Sequence, residues 1–467
     1  MKISPTQSDF LNWSRWVAAW LVVAEHARSV IFVDYGELNS PGVLAKGFYF
    51  LTGFGHEAVI VFFVISGYLV GGKVWSLYRE GRFGWRRYLA DRLSRLYAVL
   101  FVALLLGAAM DWTGYLFFNK YGLYNQGYEG SIAVLGAAPT DRMGGRDFLV
   151  NAFFLQTIIG PTFGSNGPLW SLAYEWWYYI LFPLVLAAVW PIVDVGRRFL
   201  KKHRRSKIGD RGEEEILTTE DTERSEEGAG SRLESQAAAA FSNPSISELA
   251  RDSENTSLIR TASGPVLPVT NDSLITTRAL SAFVCLLAVS GLCWLLTWNI
   301  LILFGVWLLG VLAAIFGQRE FAIQNSVFKW VILFFTIMTC GGALLVARLE
   351  VWKCGAMDQF LIGIGFAMLI GACALFKNRL PWHGVAHYFA DFSYSVYLIH
   401  FPVLVFSLSL VYWAYEFGIR MPFGVLGFAW YLGIFAFMIF ISWLVSLFTE
   451  RKTAVLREWL HRFYINR

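Results

Sequence analysis

LNWSRWVAAWLVVAEH, residues 11–26, opens a run that stays mostly apolar to residue 33 while carrying Arg15, Glu25, His26 and Arg28. A membrane-crossing helix needs about 20 mostly apolar residues, so this run predicts a span. It does not read as a cleaved leader, because it lacks a small-residue cleavage site and charge punctuates it. Nine further runs share its character, near 48–72, 96–118, 169–192, 279–297, 299–317, 327–347, 359–376, 393–411 and 426–448. The stretch FLVNAFFLQTIIG (148–160) is too short to cross and reads as a re-entrant or interfacial piece. The expected fold class is therefore all-α, a polytopic membrane helical bundle of about ten transmembrane helices.

Composition points the same way. The 467 residues are 56% hydrophobic, 17% aromatic and 16% charged, against about 45–50% apolar and about 25% charged in soluble domains. This excludes a disordered chain, a collagen and a conventional cytosolic enzyme. A net charge of +5 is too small to argue for a nucleic-acid partner; membrane lipid is the expected surrounding. Cys285, Cys293, Cys340, Cys354 and Cys373 show no CxxC spacing and read as buried free thiols.

Basic residues set the expected topology. Lys and Arg cluster in 73–95, in 197–207 and in the tail beyond 449. Ten crossings with both termini cytoplasmic place all three clusters on the cytoplasmic side, as positive-inside bias requires. Residues 194–278 are rich in Ser, Thr, Glu, Asp and Arg and read as a disordered cytoplasmic linker. The expected organisation is an N-terminal membrane half (1–193), the linker (194–278), a C-terminal membrane half (279–448) and a cytoplasmic tail (449–467).

Ionisable groups inside spans are costly and mark candidate sites. They are Arg15 and His26 in the first span, His56 and Glu57 in the second, Glu175 in the fourth and His400 in the ninth. Arg15 and His26 are eleven residues apart, three turns plus about 20°, so they share one helix face about 16 Å apart along the axis. His400 lies on the face of Ser393 and near Tyr397. Arg92 and Arg95, at i,i+3, present two guanidinium forks that suit phosphates, although positive-inside anchoring alone explains much of that loop's charge. His383 and His387 lack the acid of an HExxH motif, and no metal site is expected. A proton-coupled transporter or flippase of a glycolipid or small anion would also use intramembrane His and Glu.

Five segments together resemble one family. LNWSRWVAAWLVVAEH (11–26) resembles the opening helix of the membrane acyltransferase-3 family, with its Arg-x10-His on Arg15 and His26. VFFVISGYLV (61–70), RRYLADRLSRLY (86–97) with Arg92 and Arg95, NGPLWSLAYEWWYYILFPL (166–184) with Glu175, and FSYSVYLIHFPV (392–403) with His400 follow in the family's order. Asn12 stands where the family often has Asp. The linker is longer than usual.

The resemblance implies transfer of an acyl group, with acetyl expected, from cytoplasmic acyl-CoA to a hydroxyl of a carbohydrate or lipid-linked glycan. It implies no bound cofactor, with acetyl-CoA as donor substrate. A multi-pass place in a bacterial inner membrane is expected. On this reading Arg15, Arg92 and Arg95 hold acyl-CoA and His26 is the general base or acyl carrier. Glu175 or Glu57 orients it, and His400 completes the site. His56, Glu57, Ser393 and Tyr397 support. Trp170, Trp176, Trp177, Tyr178 and Tyr179 are candidates for stacking on sugar.

Overall fold

The computed structural model describes residues 3–126, 137–191, 271–317, 323, 325–349, 355–415 and 420–464. Among these residues the structure is helical, with no strand. Most of the expected linker, 194–270, lies outside the described residues; its last residues, expected to be unstructured, are helical from Asn271.

The N-terminal half opens with α1 (Pro5–Ile31), capped by a reciprocal pair of bonds between Ser4 and Gln7 with Pro5 in the first turn. After α2 (Val43–Leu51) come α3 (Gly55–Ser66) and α4 (Gly72–Arg79), continuous through a π-helical segment, Gly67–Gly71. A long α5 (Trp85–Phe117), a short α6 (Gly145–Ala152) and α7 (Leu169–Pro191) complete that half. The expected re-entrant piece is thus a two-turn helix followed by irregular chain. The C-terminal half holds α8 (Asn271–Leu295), α9 (Trp298–Gly317), α10 (Ser326–Arg348), α11 (Ala356–Cys373) and α12 (His383–Ala390). It ends with α13 (Ser393–Tyr415), α14 (Val425–Phe448) and α15 (Thr453–Tyr464).

Among the described residues, eight helical stretches are long and apolar enough to cross a membrane. The α2–α4 segment is one of them. The other two expected spans fall on α1, which carries Asp9, Arg15, Glu25 and Arg28, and on α8, whose described side chains form a shorter apolar stretch, Leu280–Leu295.

The chain divides into two compact units, Met1–Leu186 with Leu287–Arg467, and Ala187–Leu286. Of the second, the described residues are the end of α7 and the start of α8. All the site residues below belong to the first. There α13 is the most enclosed span, with 83% of its apolar stretch buried, while α10 has 11% and faces outward. α1 packs on α3, α12, α13 and α14, and α13 packs on α5 and α14.

Two local features lock this core. α3 and α9 meet through glycines: a Cβ on Gly310 would lie 2.0 Å from the Val64 carbonyl oxygen, and one on Gly67 would lie 1.9 Å from that of Trp307. Such close backbone approach is open only to glycine. In α13, Pro402 has no N–H for the carbonyl four residues back. That carbonyl, Leu398 O, instead accepts from Asn166 Nδ2 at 2.9 Å.

Candidate active site

The π-helical segment between α3 and α4 begins just after Ser66, and single-turn insertions of this kind often lie at functional sites. Ser66 lines a cavity of about 310 Å³ with Arg15, Arg92, Arg95, Glu175, Tyr179, Ser393 and Tyr397. Seven residues singled out in the sequence, from four helices, are therefore brought together. Arg92 and Arg95 face inward as their spacing predicts. Arg92 also borders a recess of about 240 Å³ with Lys73, Arg82, Arg87 and Asp91. Cations thus continue from the basic loop into the bundle through one shared guanidinium. The Arg92 guanidinium carbon is 5.9 Å from the Tyr88 ring centre and 5.8 Å from that of Tyr179, contacts that hold a cation over π faces.

Glu175 is the acid of this cavity. It accepts from Ser66 Oγ at 2.8 Å and from the Tyr179 hydroxyl. Trp307 Nε1 in turn donates to Ser66 Oγ at 3.2 Å. Glu175 and Glu450 both interact electrostatically with Arg15 and Arg95. Three guanidinium groups beside two acids leave a net positive charge here, a donor set whose chemistry would suit a phosphate.

His26 opens elsewhere. It lines a third cavity, of about 430 Å³, with Arg142, Thr157, Thr162, Pro168 and Trp170. Arg15 and His26 share a helix face, yet they serve different cavities. Between them, Tyr397 and Ser171 hydroxyls lie 2.6 Å apart, 3.4 and 3.2 Å from Pro168 O, so one hydroxyl donates to the other and the second to the carbonyl. Tyr397 borders the first cavity and Pro168 the third, so this cluster is the partition.

The partner of His26 is a second histidine. His26 Nδ1 lies 2.8 Å from His400 Nε2, with the two rings only 8° out of plane. His400 Nδ1 is 2.8 Å from Tyr397 O and 3.0 Å from Val396 O. Carbonyl oxygens only accept, so His400 Nδ1 carries the proton and its Nε2 in the neutral ring is an acceptor. His26 Nδ1 must then donate, which leaves His26 Nε2 as a lone pair. The network thus assigns both tautomers, and the free nitrogen is what a general base needs. This corrects the expected arrangement, in which Glu175 or Glu57 orients His26.

Residues 8–208 match the family model for an acyltransferase domain, that of the acyltransferase-3 family. This stretch belongs to the acyltransferase-3 family. The protein is a multi-pass membrane acyltransferase. No curated protein and no solved structure matches the chain.

The acyltransferase match includes Arg15, His26, Arg92, Arg95 and Glu175 and stops short of α13. The partner of His26 therefore comes from the other half. His56 and Glu57 lie in the first turn of α3: His56 Nε2 is 3.3 Å from Gln359 Nε2, and Glu57 is buried near Arg348. Of the aromatics, Trp170 lines the cavity of His26. Trp176 stacks on Phe154, Trp177 Nε1 donates to Phe154 O at 2.9 Å and the Tyr178 hydroxyl donates to Ile300 O at 3.1 Å, so these three pack the acyltransferase core. Cys340 and Cys373 are buried free thiols, Cys285 and Cys293 half-buried ones, and Cys354 lies outside the described residues.

Three residues escaped the sequence reading. Glu450 reads as tail charge and Arg142 as loop charge. Ser66, in VISGY, lacks the GxSxG frame of a nucleophile elbow and so reads as no site residue. Glu450 Oε2 accepts from Ser395 N at 3.0 Å and Ser395 Oγ at 2.9 Å, which caps the first turn of α13 from another element. The acid ending the apolar run of α14 was the available signal.

Proposed function

We propose that this enzyme transfers an acyl group, acetyl in the simplest case, from acyl-CoA to a hydroxyl of a carbohydrate or lipid-linked glycan. The observation that carries this reading is a distance. Arg15 and His26 are about 16 Å apart along α1. A fully extended pantetheine arm has about thirteen bonds from phosphorus to sulfur and advances about 1.2 Å per bond, so it also spans about 16 Å. Phosphates held by Arg15, Arg92 and Arg95 would let the thioester reach His26.

In the reaction, His26 Nε2 takes the proton of the acceptor hydroxyl as that oxygen attacks the thioester carbonyl. The carbon–oxygen bond forms, the carbon–sulfur bond breaks, and the CoA sulfur leaves with the proton. The imidazolium formed in between donates from Nδ1 to His400 Nε2, a charge-assisted bond stronger than the neutral one. Tyr397 and Ser171 must part for the arm to pass, which separates donor from water until it is seated. Basic residues of the 73–95 loop favour a cytoplasmic donor mouth, in keeping with an inner-membrane enzyme.

The reading favours transfer over proton-coupled transport because an anion cavity and a tautomer-fixed base sit one pantetheine length apart. The test is to express the full chain and the His26→Ala variant and compare extracted glycans by mass spectrometry. An acetyl-sized increment present only with the parent chain is expected. Equal acetylation by the His26→Ala chain, folded and at equal abundance, would sink the assignment.

A further inference from the structure

Attack on a thioester turns its carbonyl oxygen into an anion, and hydrogen-bond donors fixed in advance at that point supply much of the rate. Neither histidine can be such a donor. His400 Nδ1 already donates to backbone carbonyls, His26 Nδ1 donates to His400 Nε2, and His26 Nε2 is a lone pair. We propose that Tyr397 and Ser171 are catalytic residues, their two hydroxyls forming the oxyanion hole for the acyl group. This deepens the transfer reading above and rests on His26 as the base.

The pair stands on the path of the carbonyl. Tyr397 and Ser171 line the arginine cavity, while Pro168 and Trp170, close to Ser171 in the chain, line the cavity of His26. A thioester with its phosphates at Arg15, Arg92 and Arg95 and its carbon attacked over His26 crosses this boundary. One turn of α13 carries both the Tyr397 hydroxyl and His400, because the Tyr397 carbonyl lies 2.8 Å from His400 Nδ1. The Tyr397 ring is also braced by Phe62, whose centre is 5.7 Å away at a T-shaped 70°. Ser171 is buried in the first turn of α7, where the positive end of the helix dipole favours an anion.

The resting geometry shows how two hydroxyls share one carbonyl oxygen. Pro168 O lies 3.2 Å from Ser171 Oγ and 3.4 Å from the Tyr397 hydroxyl, and the hydroxyls are 2.6 Å apart. A thioester carbonyl entering beside the pair can draw both protons from these partners. While that oxygen is neutral the exchange gains little, since it gives up bonds of the same kind. Once it is an anion both bonds are charge-assisted and about twice as strong. The gain is then confined to the transition state, where it accelerates the reaction. In the step, the acceptor oxygen bonds to the carbonyl carbon, His26 Nε2 takes the acceptor proton, and the carbonyl π pair moves onto the oxygen held by the two hydroxyls. When the carbon–oxygen double bond re-forms, the carbon–sulfur bond breaks and the sulfur leaves with the proton from His26. Neither hydroxyl gives up its own proton.

The test separates an oxyanion hole from a plain water barrier. CoA release from acetyl-CoA is measured for the full chain, Tyr397→Phe and Ser171→Ala, with lipid-linked glycans extracted from membranes of the source organism as acceptor. In Tyr397→Phe the serine can still donate to Pro168 O, and in Ser171→Ala the tyrosine can, so neither variant strands that carbonyl. In each, kcat is expected to fall by at least about tenfold, toward the roughly 10²–10³-fold of a lost oxyanion donor. KM for acetyl-CoA should stay near the parent value, because the three arginines are untouched, and release without acceptor should not rise. A fall in kcat of less than about tenfold in either variant overturns the proposal, as does a loss confined to KM. Faster release without acceptor also overturns it, by showing that the pair only keeps water out. If one variant does not fold, the other decides by the same readouts. A parent chain that moves no acetyl group ends the transfer reading and this one with it; a parent that does, matched by both variants, ends the oxyanion assignment alone.

Discussion

Replacing His400 by leucine removes the acceptor that holds His26 in its reactive tautomer. Without His400 Nε2, the Nδ1 proton of His26 has lost its partner at 2.8 Å, and the ring is free to carry its proton on Nε2 instead. It then has no lone pair facing the third cavity. The reaction also generates an imidazolium, so the lost bond is one to a charged group, worth about 1.5–3 kcal/mol. At 1.4 kcal/mol per factor of ten, kcat should fall about 10- to 150-fold. KM for acetyl-CoA should stay near the parent value, because Arg15, Arg92 and Arg95 line a different cavity. The assay is CoA release, quantified by chromatography, with the glycan acceptor saturating. His400→Gln supplies a side-chain oxygen that can accept from Nδ1 and should recover part of kcat. A folded His400→Leu enzyme with kcat within about twofold of the parent, a change below the energy of any such bond, refutes the reasoning. So would a loss confined to KM.

Removing Arg92 and Arg95 together deletes two forks of the anion cavity, each worth about 1.5–3 kcal/mol to a phosphate. The Kd for acetyl-CoA should rise about 100-fold or more, with calorimetry as the check and an unchanged Kd pointing to topology alone. Gly310→Ala places a methyl 2.0 Å from the Val64 carbonyl oxygen; a loss of about 1–3 kcal/mol or more is expected, and an unshifted thermal melt in detergent would count against the α3–α9 contact. Glu450→Ala uncaps α13 and should cost about 1.5–3 kcal/mol for its bonds to Ser395. Restoration of the melt by Glu450→Gln, which keeps an acceptor, would show that the cap rather than the charge matters.

Much of this was legible in the residues. Apolar runs mark helices because a bilayer demands them, and the charges that interrupt those runs mark the cavity residues. Arg15, Arg92, Arg95 and Glu175 converge because each sits in a span where only a polar neighbour makes it tolerable. The role of Glu175 was not legible. A carboxylate in a span suits an imidazole or a guanidinium equally well, and only packing distinguishes the two. Arg142 and Glu450 were invisible for a different reason: a charge beside a loop or at a helix end is ordinary in sequence, and burial alone makes it notable. The separation of Arg15 and His26 into two cavities was hidden as well. Helical periodicity reports the face of α1 and says nothing of Tyr397 and Ser171, which divide what that face touches.

The matched acyltransferase stretch does not contain a complete site. His26, on α1, depends for its tautomer on His400, on α13. The position of His400 depends in turn on a helix interrupted by Pro402. The carbonyl that Pro402 leaves open is closed by Asn166, which precedes α7 in the N-terminal half. Each half therefore completes a hydrogen-bonding requirement of the other, once at the base and once in the backbone that carries its partner. Glu450 adds a third tie, capping α13 while interacting with Arg15 and Arg95. On the proposed reading α13 therefore belongs to the site, while α10 faces outward.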